Sequence, residues 1–356
     1  MDPERAQWLA LTTEDAVEPE LPICDPHHHL WDQPADRYLL EELRADTGAG
    51  HNVQRTVFIE CGAFYRADGP VELRPVGETD YVAALAENAS TQKVTPHDLI
   101  QGIVAFVDLR LGRQAEAVLE AHRAAGRNRF RGIRHAVAWD ASDQVRNHRT
   151  DPPPSLLRDE RFIEGVRLLG ELGLTYDVWL YHPQLPEVVE LAMAAPGTTV
   201  IVDHLGGPLG VGPYAQRHDQ VLDECRTQLA RLAELPNVVL KLGGIGMTIF
   251  GQRWHRREIP PSSSELADFW GPHVRWCIEQ FGPSRCMFES NFPPDRASCS
   301  YVVLWNAFKR LSAGYDPADR AQLLHDTAAQ VYRLGADQKY GASAGRPKST
   351  RPAAST

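Results

Sequence analysis

Three consecutive histidines lie near the start of the chain, in the segment Asp25-Pro-His27-His28-His29. The segment belongs to an apolar run that predicts a β-strand, and successive side chains of a strand point to opposite faces. His27 and His29 therefore share one face, while His28 points to the other and is expected to be structural. Two imidazoles on one face can ligate a divalent metal, and they can also bind a carboxylate or a carbonyl group.

Further polar side chains end other apolar runs of the sequence. When such runs are parallel strands of a barrel, their carboxyl ends meet at one edge, where barrel enzymes carry their active sites. Each residue alone is also compatible with a solvated loop position or a structural hydrogen bond, but the shared placement favours a site. The residues are Glu60, Arg134, His135, Tyr181, His182, Asp203, His204, Lys241, Glu289, Asn291 and Asp295.

Eight short runs rich in apolar and β-branched residues predict the strands. They cover residues 23–31, 55–62, 99–109, 130–137, 175–182, 198–206, 237–246 and 285–292. Helical periodicity separates most of them, and alternating strands and helices are typical of parallel βαβ units. Eight units predict an α/β fold, a single-domain (β/α)₈ TIM barrel. The alternative is an open doubly wound sheet, but the glycine-rich phosphate loop that it requires is replaced by Trp31-Asp-Gln-Pro34.

The predicted helices cover residues 114–125, 159–172, 185–195, 219–235 and 265–281, and two more follow the last strand at 298–311 and 317–334. Three loops leave the carboxyl ends of strands at 138–155, 207–218 and 250–264, and they are long enough to cover a substrate. We expect residues 1–20 to form an N-terminal extension and residues 21–334 the barrel. Residues 335–356 are rich in small and polar residues without periodicity, so a disordered tail is expected there.

The charge of the chain bears on its partners. A net charge of -10 without a single acidic block argues against nucleic acid or an anionic membrane surface, and it fits an enzyme acting on small molecules. No run approaches the roughly 18 apolar residues of a membrane helix, and residues 1–20 lack the apolar core of a signal peptide. The six cysteines show no CxxC spacing, so we expect a cytoplasmic protein. The sequence leaves open whether it forms a homo-oligomer.

Six motifs carry a resemblance to a known family. They are Asp25-Pro-His-His-His-Leu-Trp31, Gly132-Ile-Arg134, Tyr181-His-Pro-Gln-Leu185, Val202-Asp-His-Leu-Gly-Gly-Pro208, Lys241-Leu-Gly-Gly244 and Arg285-Cys-Met-Phe-Glu-Ser-Asn-Phe-Pro293. In this order they resemble the amidohydrolase-related TIM-barrel hydrolases, in the branch that contains 2-pyrone-4,6-dicarboxylate lactonase and L-fucono-lactonase. The likeness spans residues 25–293, which is nearly the whole of the predicted barrel.

The resemblance implies roles for residues of several strands. His27, His29 and His182 would line the site, while His204 and Arg134 would hold or polarise the substrate. The eighth-strand motif of the family ends in an aspartate that serves as general base for the attacking water. This sequence has Asn291 at that position, so the base must be another group.

Asn291 cannot take a proton from water, because a carboxamide is not basic near neutral pH. Its carbonyl oxygen can still ligate a metal or orient a substrate. Glu289 faces the same way two residues earlier and can inherit the role of base or ligand. The alternative is that Glu289 forms a structural ion pair with Lys241. Asp295 and Glu60 are further candidates for the base.

Three functions follow from these residues. The first is hydrolysis of a lactone or a related carboxylate-bearing small molecule, by attack of water on a carbonyl group. The second is metal-dependent, non-oxidative decarboxylation, and the third is non-catalytic binding of a small molecule. The catalytic candidates are His27, His29, His182, His204, Glu289 and Asn291. The candidates for substrate binding are Arg134, Glu60, Tyr181, Asp203, Lys241 and Asp295.

The same residues predict the cofactor. We expect at most one divalent ion, zinc or manganese, held by His27, His29 and His182, and a metal-free mechanism is the alternative. Four aromatic residues near the predicted loops could form an apolar wall for a ring-shaped ligand, although ordinary packing would also explain them. They are Trp139, Tyr181, Trp254 and Phe292.

Overall fold

The computed structural model of the chain describes residues 3–34, 36–91 and 99–335. Eight parallel strands pair in the order in which they occur in the sequence, which confirms the predicted (β/α)₈ barrel. They are β1 (Pro22–His28), β2 (Asn52–Ile59), β3 (Ile100–Ala105), β4 (Phe130–Arg134), β5 (Thr175–Val178), β6 (Val200–Val202), β7 (Val238–Leu242) and β8 (Cys286–Phe288). Except for its first residue, the predicted disordered tail lies outside the described residues.

The barrel closes between its first strand and the residues that follow its last strand. The backbone N–H of His29 donates to the carbonyl of Phe292 at 2.8 Å, and the N–H of Asn291 donates to the carbonyl of His27 at 2.9 Å. The histidine segment and the eighth-strand motif therefore hold each other in register at the carboxyl end of the barrel.

Helices surround the strands. They are α1 (Pro3–Leu9), α2 (Leu40–Thr47), α3 (Val76–Thr91), α4 (Glu116–Ala125), α5 (Glu160–Glu171), α6 (Leu185–Ala194), α7 (His218–Ala233), α8 (Ser263–Phe281), α9 (Tyr301–Ser312), α10 (Pro317–Ala321) and α11 (Thr327–Val331). The sequence prediction missed α2 and α3. The predicted last helix is also divided, because a π-helical segment, Gln322–Asp326, separates α10 from α11.

Short elements connect the barrel units. Two strands, Trp31–Gln33 and Asp36–Tyr38, form an antiparallel hairpin after β1. The 3₁₀ turns are Val71–Leu73, Leu109–Ala115, Leu156–Arg158, His182–Gln184, His204–Gly206, Gly212–Tyr214, Thr248–Phe250, Trp254–Arg256, Pro283–Arg285 and Pro294–Ala297. None of the helices described here is long and apolar enough to cross a membrane. All six cysteines are free thiols.

The N-terminal segment lies against the barrel's later elements. Trp8 donates its indole N–H to the carbonyl of Arg257 at 2.8 Å, and the Thr12 hydroxyl donates to the carbonyl of Pro260 at 2.8 Å. The backbone N–H of Val17 donates to Oδ1 of Asn306 on α9 at 2.7 Å. Residues 8–17 thus contact the loop after β7 and the helix after β8.

A buried ion cluster occupies the barrel interior. Lys241 on β7 is fully buried, and its Nζ lies 2.8 Å from Oδ2 of Asp177 and 3.1 Å from Oδ1 of Asp203. Tyr332, just after α11, donates its hydroxyl to Asp177. Burial alone would lower the pKa of Lys241, but the charges of Asp177, Asp203 and Glu289 outweigh it and raise that pKa. The ammonium ion therefore stays charged and partly compensates two fully buried carboxylates.

Removing this ammonium ion should destabilise the fold. Lys241→Met leaves Asp177 and Asp203 as buried charges without a cation, so we expect a loss of about 3 to 5 kcal/mol in the free energy of unfolding. Urea unfolding followed by circular dichroism measures the loss. Arg110→Met, which breaks a largely exposed pair with Asp108, is the control and should cost about 1 kcal/mol or less. Equal losses in the two variants would contradict the role given to Lys241.

Candidate active site

The first strand brings two histidine side chains together at its carboxyl end. His27 and His29 are both buried, and their Nε2 atoms lie 3.3 Å apart. Nδ1 of His29 is 2.8 Å from the carbonyl of Ile59. Because a carbonyl only accepts, Nδ1 carries the proton and the lone pair of His29 is on Nε2. His28 points to the other side of the strand, where its Nε2 contacts the Thr56 hydroxyl at 2.9 Å.

Both imidazoles are held in the neutral form. Burial lowers the pKa of His27 well below its usual value, and the positive charge of Lys241 lowers it further. Burial and the charge of Arg134 lower the pKa of His29 in the same way. Neutral imidazoles offer lone pairs near pH 7, so the two side chains can act as ligands or hydrogen-bond acceptors.

Glu289 joins two histidines from different strands. Its Oε1 lies 2.6 Å from Nδ1 of His204 and accepts the backbone N–H of His204 at 3.1 Å. Its Oε2 lies 2.8 Å from Nδ1 of His27. Burial would raise the pKa of Glu289, but His204 and His27 more than compensate and lower it far below the usual range. Glu289 is therefore an anion at neutral pH that orients both rings.

The distances also test the alternative that Glu289 forms a structural ion pair with Lys241. Oε2 of Glu289 is 3.9 Å from Nζ of Lys241, whereas Asp177 and Asp203 are nearer to that ammonium ion. The closer partners of Glu289 are the two histidines. Nδ1 of His27 lies between opposite charges, with Lys241 Nζ at 3.1 Å and Glu289 at 2.8 Å.

Two features of the backbone make room for this pair. His204 has a φ of 52°, in the left-handed region, so the chain turns sharply just after β6. Just after β7, a Cβ atom added at Gly243 would lie 2.2 Å from Cγ of Glu289, and one at Gly244 would lie 2.8 Å from Cβ of His204. The glycines after Leu242 therefore shape the site by letting Glu289 and His204 approach the strand.

Arg134 is paired inside the barrel mouth. Its Nε donates to Oε1 of Glu60 at 2.9 Å, and its Nη1 lies 3.3 Å from Nε2 of His27. The other oxygen of Glu60 binds Arg149. Glu60 therefore joins two arginines, one beside the histidines and one nearer the surface.

A second carboxyl group lies behind Glu60. Glu78 on α3 is buried, and its Oε1 accepts the backbone N–H groups of Cys61 and Ala63 at 3.2 and 2.7 Å. Burial, and then the negative charge of Glu60, raise the pKa of Glu78 to about 8. Glu78 is therefore mostly protonated at neutral pH.

The side chain of Asn291 is hydrogen-bonded to Asp295. Its side-chain Nδ2 donates to Oδ1 of Asp295 at 2.7 Å, and Oδ2 of Asp295 accepts the backbone N–H of Gly246 at 2.8 Å. Burial raises the pKa of Asp295 to about 7. The amide thus fixes the carboxyl group of Asp295, and Asp295 fixes the loop after β7.

His182 lies away from the other histidines. β5 ends at Val178, so His182 begins a 3₁₀ turn four residues later. Its Nδ1 accepts the backbone N–H of Leu209 at 3.3 Å, and its Nε2 lies 3.4 Å from Oε2 of Glu224 on α7. The structure therefore does not bring His182 to His27 and His29.

A cleft of about 490 Å³ opens beside the histidines. Its lining comes mainly from the loop after β4, with contributions from the ends of β5, β6 and β7: Gln144, Arg146, Asn147, His148, Arg149, Trp179, Tyr181, Val211, Thr248 and Ile249. The Trp179 ring packs edge-to-face on His204, with centroids 4.8 Å apart, so one residue of the cleft lining contacts the His204–Glu289 pair directly.

The aromatic wall differs from the expected one. Tyr181 lines the cleft, and its hydroxyl donates to the carbonyl of Arg146. Trp254 packs on Phe269, and Phe292 lines a separate cavity near the N-terminal segment. Trp179 was missed because it lies within a run predicted as strand. Residues 178–181 are Val, Trp, Leu and Tyr, and in an extended segment this alternation places Trp179 on the same face as Tyr181. This pattern was the available signal for a role of Trp179.

The site fits a transition metal by the chemistry of its donors. His27, His204 and Glu289 each offer a ligand atom, and these atoms lie within 4.8 Å of one another. Nε2 of His29 lies beside His27 with its lone pair free of the Ile59 bond. Imidazole nitrogen and carboxylate oxygen are the donors that zinc and manganese accept in enzymes. His182, expected as the third ligand, does not belong to this group.

Comparisons with known proteins agree with the fold. A sequence profile described as amidohydrolase matches residues 24–334. An uncharacterised protein of Sinorhizobium fredii (y4mH) is 29% identical over 337 residues, which make up 88% of this chain and 99% of that protein. L-fucono-1,5-lactonase of Burkholderia multivorans is 31% identical over 245 residues, or 66% of this chain and 72% of the lactonase. A solved amidohydrolase from Burkholderia multivorans, with bound zinc, has a TM-score of 0.67 and 25% identity, covering 88% of this chain and 99% of its own.

The protonated Glu78 predicts how stability depends on pH. The folded chain keeps a proton that the unfolded chain releases above its usual pKa of 4.5. Glu78 therefore lowers the free energy of unfolding as pH rises from about 4.5 to about 8, by up to about 1.4 kcal/mol per pH unit. Glu78→Gln keeps the accepting oxygen and removes the titration, so we expect a shallower decline in this range.

Urea unfolding at about pH 5, 6.5 and 8 measures this slope, since each proton taken up on folding adds to it. Glu72→Gln, at an exposed position, is the matched control and should follow the unmodified protein. The same slope in Glu78→Gln and in the unmodified protein would show that Glu78 is not protonated in the fold.

Proposed function

The chain belongs to the amidohydrolase family and is an enzyme, and we propose that it hydrolyses lactones with His204 as the general base. The observation that carries the proposal is the His204–Glu289 pair, with Nδ1 and Oε1 2.6 Å apart, below Trp179 of the cleft. The similarity to a lactonase at 31% identity supports a cyclic ester as the substrate class.

The pair has the arrangement of an oriented general base. Oε1 of Glu289 only accepts, so the His204 proton lies on Nδ1 and the lone pair lies on Nε2. Nε2 takes a proton from water while the water oxygen attacks the lactone carbonyl carbon. The buried anion of Glu289 stabilises the imidazolium that forms, as the carboxylate of a catalytic triad does.

The second half of the reaction returns the proton. The tetrahedral intermediate collapses, the bond between the carbonyl carbon and the ring oxygen breaks, and the imidazolium of His204 protonates the leaving oxygen. One lactone and one water thus give one hydroxy acid, and His204 ends in its starting state. The positive charge of Arg134, whose Nη1 lies 3.3 Å from His27, favours the oxyanion through the low-dielectric site.

In this assignment, His204 takes the role of general base that the missing aspartate at position 291 would have had. Asn291 is committed to Asp295, and an amide cannot accept a proton at neutral pH. Glu289 itself is a poor base, because its pKa is lowered far below the usual range by the two histidines. Of these three side chains, the imidazole of His204 is the one suited to accept a proton near neutral pH.

A divalent ion, zinc or manganese, would be held by His27, His204 and Glu289, whose ligand atoms lie within 4.8 Å of one another, and when bound it would polarise a carbonyl group. Metal content can be measured by elemental analysis of the purified protein without any assay of turnover. We expect about one ion per chain, and His27→Ala should lose it. An enzyme that is free of metal as purified and stays active in chelator would establish a metal-free mechanism.

Variants of the pair test the base. His204→Gln and Glu289→Gln should each lower kcat on lactones by roughly 10²- to 10⁴-fold, the usual contribution of general base catalysis. His122→Gln, a buried histidine on α4 bonded to Thr79, is the matched control and should keep its kcat. A folded Glu289→Gln variant with unchanged kcat would refute the role of the pair. Release of carbon dioxide from aromatic carboxylates, with no lactone hydrolysed, would replace the proposal with decarboxylation.

A further inference from the structure

We propose that Arg149, assisted by Arg146, forms an anion-binding subsite in the cleft that selects lactones bearing a carboxylate group. The inference deepens the proposed lactone hydrolysis and rests on it. Both arginines line the cleft, beside the aromatic rings of Trp179 and Tyr181. The family motifs quoted above contain neither arginine.

Contacts with Glu60 and Gly62 hold the guanidinium group of Arg149 in place. Its Nη2 binds Oε2 of Glu60, a fully buried carboxylate. A Cβ atom at Gly62 would lie 2.6 Å from Nη1 and 2.7 Å from Cζ of Arg149, so the guanidinium packs closely against the backbone of Gly62. Gly62 also has a φ of 76°, a conformation that favours glycine. The side chain of Arg149 is nevertheless 35% exposed, so part of it faces the cleft.

The charges around Glu60 leave this region positive. Glu60 is one anion between two cations, Arg134 and Arg149. Glu78, behind it, is mostly protonated at neutral pH because its pKa is raised to about 8. The cluster therefore keeps a charge near +1, and Arg146 adds another beside it. The guanidinium of Arg146 forms no ion pair with any residue in the described ranges.

Two further observations support a positive cleft. The described residues that line it include no carboxylate, although the whole chain has a net charge of -10. The pKa of His148 in the lining is lowered to about 2, first by burial and then by the charges of Arg134 and Arg149. A local positive potential on an acidic protein attracts small anions and excludes most cations.

The subsite suits a flat ring with one carboxylate. Trp179 and Tyr181 meet edge-to-face at 5.6 Å and offer apolar surface for the ring. The planar guanidinium of Arg149 matches a carboxylate through two parallel hydrogen bonds, which a neutral hydroxyl group cannot form. The substrate class is therefore a lactone with a carboxylate substituent, rather than an uncharged sugar lactone.

Binding measured without turnover tests the subsite. The probes are tetrahydrofuran-2-carboxylate, which has no ester to cleave, and its neutral carboxamide. Isothermal titration should show tighter binding of the carboxylate, and Arg149→Gln should reduce that preference by roughly 10- to 100-fold, as expected for hydrogen bonds to a charged group. Arg149→Lys should lose less of the preference for the carboxylate, because lysine keeps the positive charge although it lacks the two parallel donors of the guanidinium group. Arg110→Gln, an arginine paired with Asp108, is the control.

Measurements of turnover then test whether the subsite determines which lactone the enzyme prefers. The ratio of kcat/KM for γ-butyrolactone carrying a ring carboxylate to that for plain γ-butyrolactone should fall in Arg149→Gln, chiefly through KM. Equal binding of carboxylate and carboxamide by the unmodified protein would overturn the inference while leaving lactone hydrolysis intact. A carboxylate preference that depends on Arg149, without hydrolysis of any lactone, would support the subsite and refute the proposed reaction. Thermal melting confirms that each variant is folded.

Discussion

The buried carboxylate of Glu289 is the interaction on which the site depends. A buried carboxylate is costly unless polar groups compensate it, and here Oε1 accepts hydrogen bonds from the ring and the backbone of His204, while Oε2 lies 2.8 Å from Nδ1 of His27. These side chains come from the ends of β6 and β1, while Glu289 follows β8. Their distances are kept only when the barrel is closed, and closure passes through the backbone bonds that join His27 and His29 to the chain after β8. The chemistry and the fold therefore share the same contacts.

The barrel interior is a layered arrangement of charge. Inside the barrel, Lys241 lies between the carboxylates of Asp177 and Asp203, and beside it Glu289 contacts the two histidines. Nearer the surface, Glu60 pairs with Arg134 and Arg149. Each layer contains carboxylates with basic partners, so that few buried charges are left without compensation. Only the outer layer has an excess of positive charge beside the cleft, and this is where a substrate anion can bind without displacing an internal partner.

The sequence predicted the architecture and part of the site. Apolar runs and helical periodicity were sufficient for the eight strands, but α3 was missed, since alanines such as Ala83 and Ala86 form much of its buried face and give a weak pattern. His27 and His29 could be placed by strand alternation, whereas His182 could not, because β5 stops four residues before it. The left-handed backbone at His204 depends on packing and is invisible in residue types. Asp177 was overlooked, although an acidic residue within an apolar run was a usable signal.

Replacement of the eighth-strand aspartate by Asn291 does not require the site to lose its base. The carboxylate two residues earlier, Glu289, already lies against a histidine, and a carboxylate–imidazole pair performs proton transfer better than a deeply buried carboxylate alone. The hydrogen bond from Nδ1 of His204, which helps to make Glu289 a weak base, also fixes the orientation of the His204 ring. A negative charge at position 291 would stand beside Asp295, whose own pKa is already raised by burial, and the two carboxylates would repel each other. The amide removes that repulsion and leaves a single anion to serve the two histidines.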